Sequence, residues 1–226
     1  MVKASQPTVG RLSLYRRLLS GLQAEGATHV FSHRLARLAG GTAAQVRRDI
    51  MMLGCSGTPS RGYEISALLA CINRLLHPPV AQRIALVGVG NLGRAILAYF
   101  GRHQPTLRIA AAFDRDPGLA GQVVAGCRCH PTERLEEITA AEGIRLALLV
   151  VPEGSAQAVA ERLVAAGIRA IVNFAPVRLN VPRTVHVENI DMTMALERAA
   201  FFVRPSSRPG SPVRASSPVA QDETAR

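Results

Sequence analysis

The sequence lacks tryptophan, has few aromatic residues and contains no apolar run long enough to cross a membrane. Its longest apolar stretch lies near Leu146–Pro152, far short of the ~18 consecutive apolar residues that a transmembrane helix needs. The N-terminus has no apolar core of the kind found in signal peptides. We therefore expect a protein without a membrane segment, and the cytoplasm is its expected compartment.

Cysteine is also scarce, because four cysteines in 226 residues are too few for the disulfide framework of a small secreted protein. For Cys55 a buried or inert thiol is expected, and a redox-sensitive thiol is the alternative. Cys127 and Cys129 precede His130 without a second ligand pair at zinc spacing, so we expect a turn-exposed thiol pair and no metal site. No histidine is paired with a nucleophile or an acid, so we assign no catalytic residue.

Lysine is almost absent: Lys3 is the one lysine among 27 basic residues, which face 16 acidic ones for a net charge of +11. Residues 1–80 carry a net +7, whereas 81–203 and 204–226 carry +2 each. This uneven excess favours a partner that bears phosphates, and its position favours a DNA-binding module in the N-terminal third. The segment 204–226 is rich in Arg, Pro and Ser and is expected to be a disordered tail.

Three short helices followed by a turn-rich segment are predicted in the N-terminal third. Apolar residues at helical spacing over 11–25 predict the first helix, and Ser32 is the expected cap of the second. Thr42-Ala-Ala-Gln45 is a capping box that starts the third helix. Glycine, serine, threonine and proline then crowd 54–62 as in a hairpin, and a further helix is predicted over 66–76. This order predicts a winged helix-turn-helix.

The third helix carries the residues expected to read DNA. Arg47 and Arg48 lie off its apolar stripe in the first turns, where a recognition helix presents side chains to base edges and phosphates. The alternative is a solvated helix face, which the regional charge disfavours. The candidates in this helix and in the wing are Gln45, Arg47, Arg48, Thr58, Ser60 and Arg61.

From Arg83 onward, strands and helices alternate. Helical segments separate most of the short apolar runs, which predict strands over 84–87, 107–113, 146–151, 170–174 and 184–187. Such alternation is typical of α/β proteins in which helices cover both faces of a parallel sheet. We therefore predict a Rossmann doubly wound parallel sheet after the winged helix-turn-helix.

The segment from Gly88 to Gly93 has the pattern GxGxxG between the first of these strands and a helix, which is the context of a dinucleotide-binding loop. Gly88 permits the tight turn, Gly90 lets the backbone approach a pyrophosphate at the helix N-terminus, and Gly93 lets the helix pack on the strand. A glycine turn without a ligand is the alternative. The predicted cofactor-binding loop is Gly88, Val89, Gly90, Asn91, Leu92 and Gly93.

Asp114 lies 21 residues after Gly93 at the end of the second strand, where a carboxylate accepts the hydroxyls of an adenosine ribose. Its charge would repel a 2′-phosphate, so NAD(H) is preferred over NADP(H). Arg115 could instead accept that phosphate, and both residues are cofactor-binding candidates. The alternative for Asp114 is a turn residue ahead of Asp116.

The last predicted helix, 191–203, is too apolar to stand alone. Asp191 opens it, and an N-cap is the simplest role for an aspartate at that position. A functional role for Asp191 would need a cationic partner elsewhere in the protein.

Together these residues resemble the Rex family of redox-sensing transcriptional repressors over roughly residues 7–203. The similarity depends on the order and spacing of Arg11–Arg17, Gln45–Asp49, Gly57–Tyr63, Gly88–Gly93, Phe113-Asp114, Asn173–Pro176 and Val187–Asp191. It implies a winged-helix domain (1–80), a Rossmann NAD(H)-binding domain (81–190) and a C-terminal helix (191–203) that swaps onto the partner subunit of a homodimer.

The resemblance also implies a function. Members of the family bind operator DNA when NAD+ is bound or the site is empty, and they release it on binding NADH. By position, Arg11 joins the DNA-binding candidates, and Asn173 and Pro176 belong to a loop near the nicotinamide. A trio whose pairings change between the DNA-bound and released forms is matched by Arg17, Tyr99 and Asp191.

The chain departs from the family pattern in the wing, where Pro59 and Ser60 replace the usual basic residue and glycine. Leu53 stands where an aromatic residue is usual, and Met192 where some members carry phenylalanine. The first three differences concern DNA contacts and operator preference, and the last concerns packing on the nicotinamide.

Two other functions stay open at this point. A small NAD-dependent oxidoreductase would need a substrate pocket, and little chain follows the last strand to build one. A DNA-binding sensor of another nucleotide, such as an acyl-CoA, would need the same glycine loop, and Asp114 argues mildly against it.

Overall fold

The computed structural model describes residues 4–76, 81–103 and 106–203, so the predicted tail at 204–226 lies outside the described residues. The chain divides after Asn189 into a large unit and a short C-terminal unit. The predicted fold class is confirmed, because N-terminal helices with a two-stranded antiparallel sheet precede a largely parallel sheet. No helix in the described part of the chain is long and apolar enough to cross a membrane.

Four helices and a two-stranded sheet form the N-terminal part: α1 (Gln6–Ala24), β1 (His29–Val30), α2 (Ser32–Ala39), α3 (Ala43–Met52), β2 (Tyr63–Glu64) and α4 (Ile65–Leu76). Strand β1 pairs antiparallel with β2, and a bridge between Thr58 and Gly62 closes the segment that leads into β2. We call residues 56–62 the wing. It lies where the turn-rich sequence predicts it.

Local signals at the helix ends are only partly as predicted. Thr42 caps α3, since its hydroxyl accepts a hydrogen bond from the backbone N–H of Gln45. The Gln45 side chain does not complete the capping box; it donates to Asp49 instead. The expected cap Ser32 is already the first residue of α2, and Phe31 is its N-cap without a side-chain hydrogen bond. The cap prediction for Ser32 is therefore wrong by one residue.

The core of the N-terminal part is built by the predicted helical stripes. The side chains of α1 that face inward are almost fully buried, and they pack with residues from every other helix of this part. The largest of these buried side chains are Leu12, Tyr15, Leu19, Leu35, Ile50, Ile65, Leu68 and Ile72. Their burial fixes the position of α3 and so decides which of its residues face solvent.

Seven strands form the second sheet: β3 (Gln82–Val87), β4 (Leu107–Asp114), β5 (Val123–Val124), β6 (Cys127–Pro131), β7 (Leu146–Leu149), β8 (Ala170–Asn173) and β9 (His186–Asn189). Their order is β5-β6-β4-β3-β7-β8-β9. All neighbours are parallel except β5 and β6, which form an antiparallel edge. The last strand begins two residues later than its predicted start at 184.

Three helices cover this sheet: α5 (Asn91–His103), α6 (Leu135–Ala141) and α7 (Glu153–Ala165). Ile84 and Leu86 of β3 share a buried cluster with Leu97 of α5. Ala85 and Val87, one residue out of phase, share a different cluster with residues of α6 and α7. Because successive side chains of a strand point to opposite faces, the two clusters place helices on both faces, as predicted.

The cysteines differ from two of the expectations. Cys127 and Cys129 lie on strand β6 and are buried, because a pleated strand places residues two apart on the same face. The prediction of a turn-exposed thiol pair is therefore wrong. Cys55 is half-buried and forms a disulfide with Cys71 of α4. The inert thiol expected for Cys55 is therefore wrong.

The C-terminal unit contains helix α8 (Met192–Phe201). Asp191 is its N-cap, with a side-chain oxygen 2.8 Å from the backbone N of Met194. The structural role that the sequence offered for Asp191 is thus present. The apolar side chains of this unit are largely exposed, among them Met192, Leu196, Phe201 and Phe202.

Candidate nucleotide pocket and DNA-binding surface

A cavity of about 520 Å³ lies at the carboxyl ends of β3, β4 and β7. Strand β3 has β4 on one side and β7 on the other, so the strands after β3 are added first on one side of it and, from β7 onward, on the other. Parallel sheets of this kind bind ligands in the crevice that such a reversal opens. The cavity therefore lies where ligands usually bind to an open α/β sheet.

The glycine loop forms one wall of the cavity, and its three glycines have different surroundings. Gly88 has φ 101°, and a Cβ atom there would overlap the backbone of Val150. A Cβ at Gly93 would overlap the carbonyl oxygen of Gly88, because α5 packs directly on the end of β3. At Gly90 a Cβ would meet no atom within 4 Å. The loop thus leaves open space at Gly90, where a ligand phosphate can approach the backbone.

The remaining loop residues divide between wall and core. Asn91 and Leu92 begin α5 and line the cavity. The backbone N–H groups of a first helical turn have no partner within the helix, which suits them to an anion. Val89 is only 1% exposed, and its side chain belongs to the core. The predicted candidate Val89 thus contributes its side chain to the core and its backbone to the glycine loop.

Asp114 lies at the end of β4 on the cavity wall, held by two backbone hydrogen bonds. One carboxylate oxygen is 2.6 Å from the N of Val89, and the other is 2.9 Å from the N of Asp116. The first bond joins Asp114 to the glycine loop, and the second forms the turn that the sequence offered as the alternative. Asp114 can therefore stabilise the turn and still present its charge to a ribose. Arg115, beside it, lines the cavity and is exposed.

Arg162 of α7 also lines the cavity, and sequence reasoning did not identify it. Its guanidinium donates to both oxygens of Glu136 at 2.7 Å and to the carbonyl of Thr132 at 2.7 Å. These bonds raise the pKa of Arg162 and lower the pKa of Glu136. Arg162 is therefore a cation held in place on the cavity wall. Its partner Glu136 lies 26 residues earlier in the chain, too far for a local sequence pattern to indicate this role.

The loop after β8 contributes Phe174 to the cavity, whereas Asn173 and Pro176 are not among the described residues that line it. Asn173 is fully buried, and its amide nitrogen donates to Val177 and to the side chain of Asn189. Its oxygen accepts from the N–H of Ala175. Asn173 thus holds the loop that presents Phe174. A direct contact of Asn173 or Pro176 with a nicotinamide stays a prediction.

Helix α3 and the wing form an exposed basic surface. Arg47 and Arg48 are exposed, and one guanidinium nitrogen of Arg47 is 3.2 Å from the hydroxyl of Ser32 at the start of α2. In the wing, three predicted candidates are also exposed, namely Thr58, Ser60 and Arg61. Sequence reasoning missed two exposed arginines on α2, Arg34 and Arg37, because no motif singled them out.

Two predicted DNA contacts, Arg11 and Gln45, have partners inside the protein. Arg11 donates to both carboxylate oxygens of Asp49, at 2.7 and 2.8 Å. Gln45 donates to the same carboxylate at 2.9 Å, and the hydroxyl of Tyr15 lies 3.2 Å from it. Asp49 is 3% exposed and lies on α3, whereas Arg11 and Tyr15 lie on α1. This group, which we call the Asp49 network, fixes α3 on α1.

The Asp49 network has a charged ground state. Burial disfavours the ionised form of Asp49, but hydrogen bonds from Arg11 and Gln45 outweigh that effect and lower its pKa. The same carboxylate raises the pKa of Arg11. Burial, together with the charge of Asp49, raises the pKa of Tyr15 to about 12. The network therefore stays an ion pair with a neutral tyrosine across the physiological pH range.

The three predicted switch residues lie on three elements. Arg17 is exposed on α1, and Tyr99 is exposed on α5, with its ring edge-to-face against Phe100. Asp191 caps α8 in the C-terminal unit. A change in their pairing stays a prediction.

Two family models match the chain. A model described as a CoA binding domain matches residues 81–177, which include the cavity. A model described as "Putative DNA-binding protein N-terminus" matches residues 3–50, which include α1, α2 and most of α3. The first match therefore includes the candidate nucleotide site, and the second includes Arg47 and Arg48 of α3 but not the wing.

Curated relatives match nearly the whole described chain. The redox-sensing transcriptional repressor Rex of Streptomyces coelicolor is 41% identical over 196 residues, covering 87% of this chain and 76% of that protein. The protein of the same name from Leuconostoc citreum is 37% identical, covering 89% of this chain and 93% of its own.

Solved structures agree with the sequence relatives. RSP, described as a Rex-family repressor, superposes with a TM-score of 0.80 at 30% identity and covers 90% of this chain and 95% of its own. RSP in complex with NAD+ and operator DNA gives a TM-score of 0.82, and its complex with NADH gives 0.80.

Proposed function

The chain belongs to the Rex family of redox-sensing transcriptional repressors, and from that premise we propose that it binds operator DNA and senses the balance of NADH and NAD+. One observation carries the proposal. The exposed arginines of a capped helix and a glycine-loop cavity with a carboxylate at its wall occur in the same chain. A DNA-binding surface and a dinucleotide site in one protein are what a nucleotide-controlled repressor requires.

NAD(H) fits the cavity through the backbone of the glycine loop and through Asp114. Open space at Gly90 admits the pyrophosphate, and the start of α5 offers its first N–H groups to it. Asp114 accepts the ribose hydroxyls and disfavours a 2′-phosphate. Phe174 supplies an apolar surface for the nicotinamide, and the loop 173–176 that carries it includes the candidates Asn173 and Pro176.

Operator DNA is bound by α3 and the wing. Arg47 and Arg48 reach base edges and phosphates, with Thr58, Ser60 and Arg61 on the neighbouring backbone. Arg11 and Gln45 act through Asp49, which holds α3 in place, as well as through any contact of their own. Because Pro59 and Ser60 stand where the family usually has a basic residue and glycine, the wing has one charge and one flexible position fewer. This protein therefore prefers operators whose flanking sequence differs from that of other family operators.

A homodimer completes the proposal. Residues 1–80 form the DNA-binding domain, 81–190 the NAD(H)-binding domain and 191–203 a helix that packs on the partner subunit. The exposed fractions of Met192 (59%), Leu196 (70%) and Phe202 (85%) favour such a contact, since apolar side chains of this size are normally covered. Two recognition helices related by a twofold axis then meet half-sites about 34–36 Å apart.

NADH controls the dimer by preferring one of two arrangements. It can shift the balance only by the difference between its affinities for the two forms, typically ~1–3 kcal/mol. Arg17, Tyr99 and Asp191 exchange partners between these arrangements. In this proposal the protein is a regulator in the cytoplasm, and none of its residues has a catalytic role.

The test begins with DNA selected from a pool of random duplexes by the NAD+-loaded protein. Fluorescence anisotropy with a selected duplex is then titrated with NADH and with NAD+. NADH is expected to release the DNA, and NAD+ is expected to leave it bound. An equal response to both forms, or no selectable duplex, contradicts the proposal.

A sensor of acyl-CoA is the second candidate, because the model that matches residues 81–177 is described as a CoA binding domain. Thermal unfolding with NADH, NADPH and CoA separates the two readings. NADH alone is expected to raise the melting temperature strongly. A larger rise with CoA would favour the second candidate.

A further inference from the structure

A disulfide lies at the base of the wing. Cys55 follows the recognition helix α3, three residues beyond its last residue Met52, and Cys71 lies on α4. Their Cα atoms are 6.7 Å apart, within the range that a disulfide spans without movement of the backbone. The bond encloses the whole wing, strand β2 and the first turns of α4. It therefore joins the recognition helix end to the helix behind the wing.

Cys55 and Cys71 are less buried than the other two cysteines. Cys55 and Cys71 are half-buried and line a cavity of about 440 Å³ beside the wing. Cys127 and Cys129 are buried on β6, and burial raises the pKa of the Cys127 thiol to about 11 and also raises that of Cys129. Cys55 and Cys71 therefore border a cavity with room for a small thiol, whereas Cys127 and Cys129 are buried in the sheet domain.

The surroundings of Cys71 favour a thiolate. A guanidinium nitrogen of Arg74, one helical turn further along α4, lies 3.2 Å from the Cys71 sulfur. A neighbouring cation stabilises the thiolate form, which is the nucleophile in thiol–disulfide exchange. Arg61 and Glu64 line the same cavity with opposite charges, so the net environment of Cys71 is set by Arg74.

We propose that Cys55 and Cys71 are a reversible thiol–disulfide pair, oxidised by low-molecular-weight disulfides, and that the oxidised pair strengthens DNA binding by holding the wing. The DNA part of this inference rests on the proposed function. A protein that works beside DNA lies in a reducing compartment, where disulfides are rarely permanent and are commonly redox-sensing. The pair would add a thiol input to the nicotinamide input, at a separate place in the chain.

The reaction with oxidised glutathione proceeds in two exchanges. The Cys71 thiolate attacks one sulfur of the glutathione disulfide, forms a mixed disulfide and releases one glutathione thiolate. The Cys55 thiolate then attacks the Cys71 sulfur and releases the second glutathione. The two cysteines are oxidised, one glutathione disulfide is reduced to two thiols, and the two cysteine protons pass to those thiols.

The bond acts on DNA binding because the wing has few restraints of its own. Within the wing, the pairing of Thr58 with Gly62 is the backbone bridge that the described structure contains, and β1 pairs with only two residues of β2. Anchoring the segment before the wing to α4 removes conformations that the free hairpin must otherwise lose on binding. We expect the oxidised form to bind the selected duplex about three- to tenfold more tightly than the reduced form.

The experiment uses the full-length protein equilibrated with glutathione buffers of increasing oxidation. Alkylation of free thiols followed by peptide mass spectrometry measures each cysteine, with Cys127 and Cys129 as internal controls. Cys55 and Cys71 are expected to lose reactivity together as the buffer becomes oxidising, while the buried pair stays unreactive until the protein is denatured. Reactivity of Cys55 and Cys71 that does not change with the buffer overturns the proposal.

DNA affinity is measured on the same samples, and Cys55→Ser and Cys71→Ser are compared with the control Cys127→Ala. Both serine variants are expected to bind like the reduced protein in every buffer, and the control is expected to keep the wild-type response. Equal affinity of oxidised and reduced wild type overturns the proposal and leaves the proposed function intact. If neither form binds any duplex, the proposed function fails, and the DNA part of this inference fails with it.

Discussion

The two candidate sites offer different chemical groups to their ligands: backbone groups in one and charged side chains in the other. The glycine loop at 88–93 offers backbone and open space, and its sheet domain is almost neutral in net charge. Helix α3 offers charged side chains in a part of the chain with a net +7. A backbone site depends on the absence of side chains, whereas a side-chain site depends on a scaffold that holds its helix. The two sites should therefore fail for different reasons.

Gly93→Ala should have the largest effect, because the added Cβ overlaps the carbonyl oxygen of Gly88, which is backbone and cannot yield cheaply. We expect a loss of stability of about 1–3 kcal/mol or more, together with the loss of NADH binding. Gly90→Ala is the matched control, since its Cβ meets nothing within 4 Å. It should keep the wild-type melting temperature and still bind NADH more weakly. Equal stability of the two variants would contradict the packing argument.

Asp49→Ala tests the scaffold of the side-chain site. The change leaves Arg11 and the buried hydroxyl of Tyr15 without their shared carboxylate, at an expected cost of about 2–3 kcal/mol. Chemical denaturation measures the loss, and NADH binding should be unchanged. Glu137→Ala, which breaks the exposed Arg134–Glu137 pair, is the control and should leave stability unchanged. A stable Asp49→Ala protein would remove the network from the explanation of α3.

Arg47→Ala should weaken binding to the selected duplex by about 1–3 kcal/mol if the side chain reads a base. Arg48→Ala should weaken binding to all duplexes if the side chain contacts a phosphate. The slope of the logarithm of the binding constant against the logarithm of the salt concentration should then become shallower by about one. Arg169→Ala removes an exposed charge from the sheet domain and is the control. All three variants should bind NADH like the wild type. Unchanged DNA binding by Arg47→Ala would make it part of a solvated helix face.

Asp114→Asn should change ligand preference more than affinity. The amide oxygen can still accept from the N–H of Val89, so the glycine loop should keep its shape, although the amide nitrogen cannot accept from the N–H of Asp116. Loss of the charge should reduce discrimination against NADPH by about tenfold, as expected for one nearby unit charge in a partly exposed site. Calorimetry with NADH and NADPH measures the ratio. An unchanged ratio would leave Asp114 with its turn role alone.

Titration of the tyrosines should show the smallest but most specific effect. Of the three tyrosines, Tyr15 has a pKa raised from 10.0 to about 12, so one phenol should ionise late in the absorbance titration. Because the pKa of Tyr15 is raised in the folded state, the contribution of its neutral phenol to stability is fully present below pH 10. That contribution is lost as the pH rises towards about 12. Tyr15→Phe should abolish the late step. Its persistence in that variant would assign it to another tyrosine.

Local sequence signals predicted much of the fold because they act over a few residues. The glycine spacing at 88–93 and the cap at Thr42 each depend on one turn of chain, and both are where the sequence places them. Contacts between residues far apart along the chain were not predicted. Arg11 stays a predicted DNA contact, but its carboxylate partner Asp49, 38 residues away, was not expected. Asn173 stays a candidate of the nicotinamide loop, but the bonds of its amide to Val177 and Asn189 were not expected either.

The cysteines show the same limit. Spacing alone made Cys127 and Cys129 resemble a turn motif, but pairing of β6 with β4 made them buried strand residues. The sequence near Cys55 does not predict a disulfide with Cys71, because the two cysteines meet only when α4 packs behind the wing. Arg162 was missed because its role comes from α7 lying beside the cavity and from Glu136 on another helix.

The amino-acid sequence was sufficient for the order of the helices and of the five predicted strands, the glycine loop and the concentration of arginine before residue 80. These are properties of neighbouring residues, and short-range sterics, hydrogen bonds and apolar periodicity encode them directly. Folding decided which charges stay available to a ligand. Arg47 and Arg48 remain exposed, whereas Arg11 and Arg162 are bound to carboxylates. That choice depends on contacts between residues that are distant along the chain, and only packing of the core brings them together.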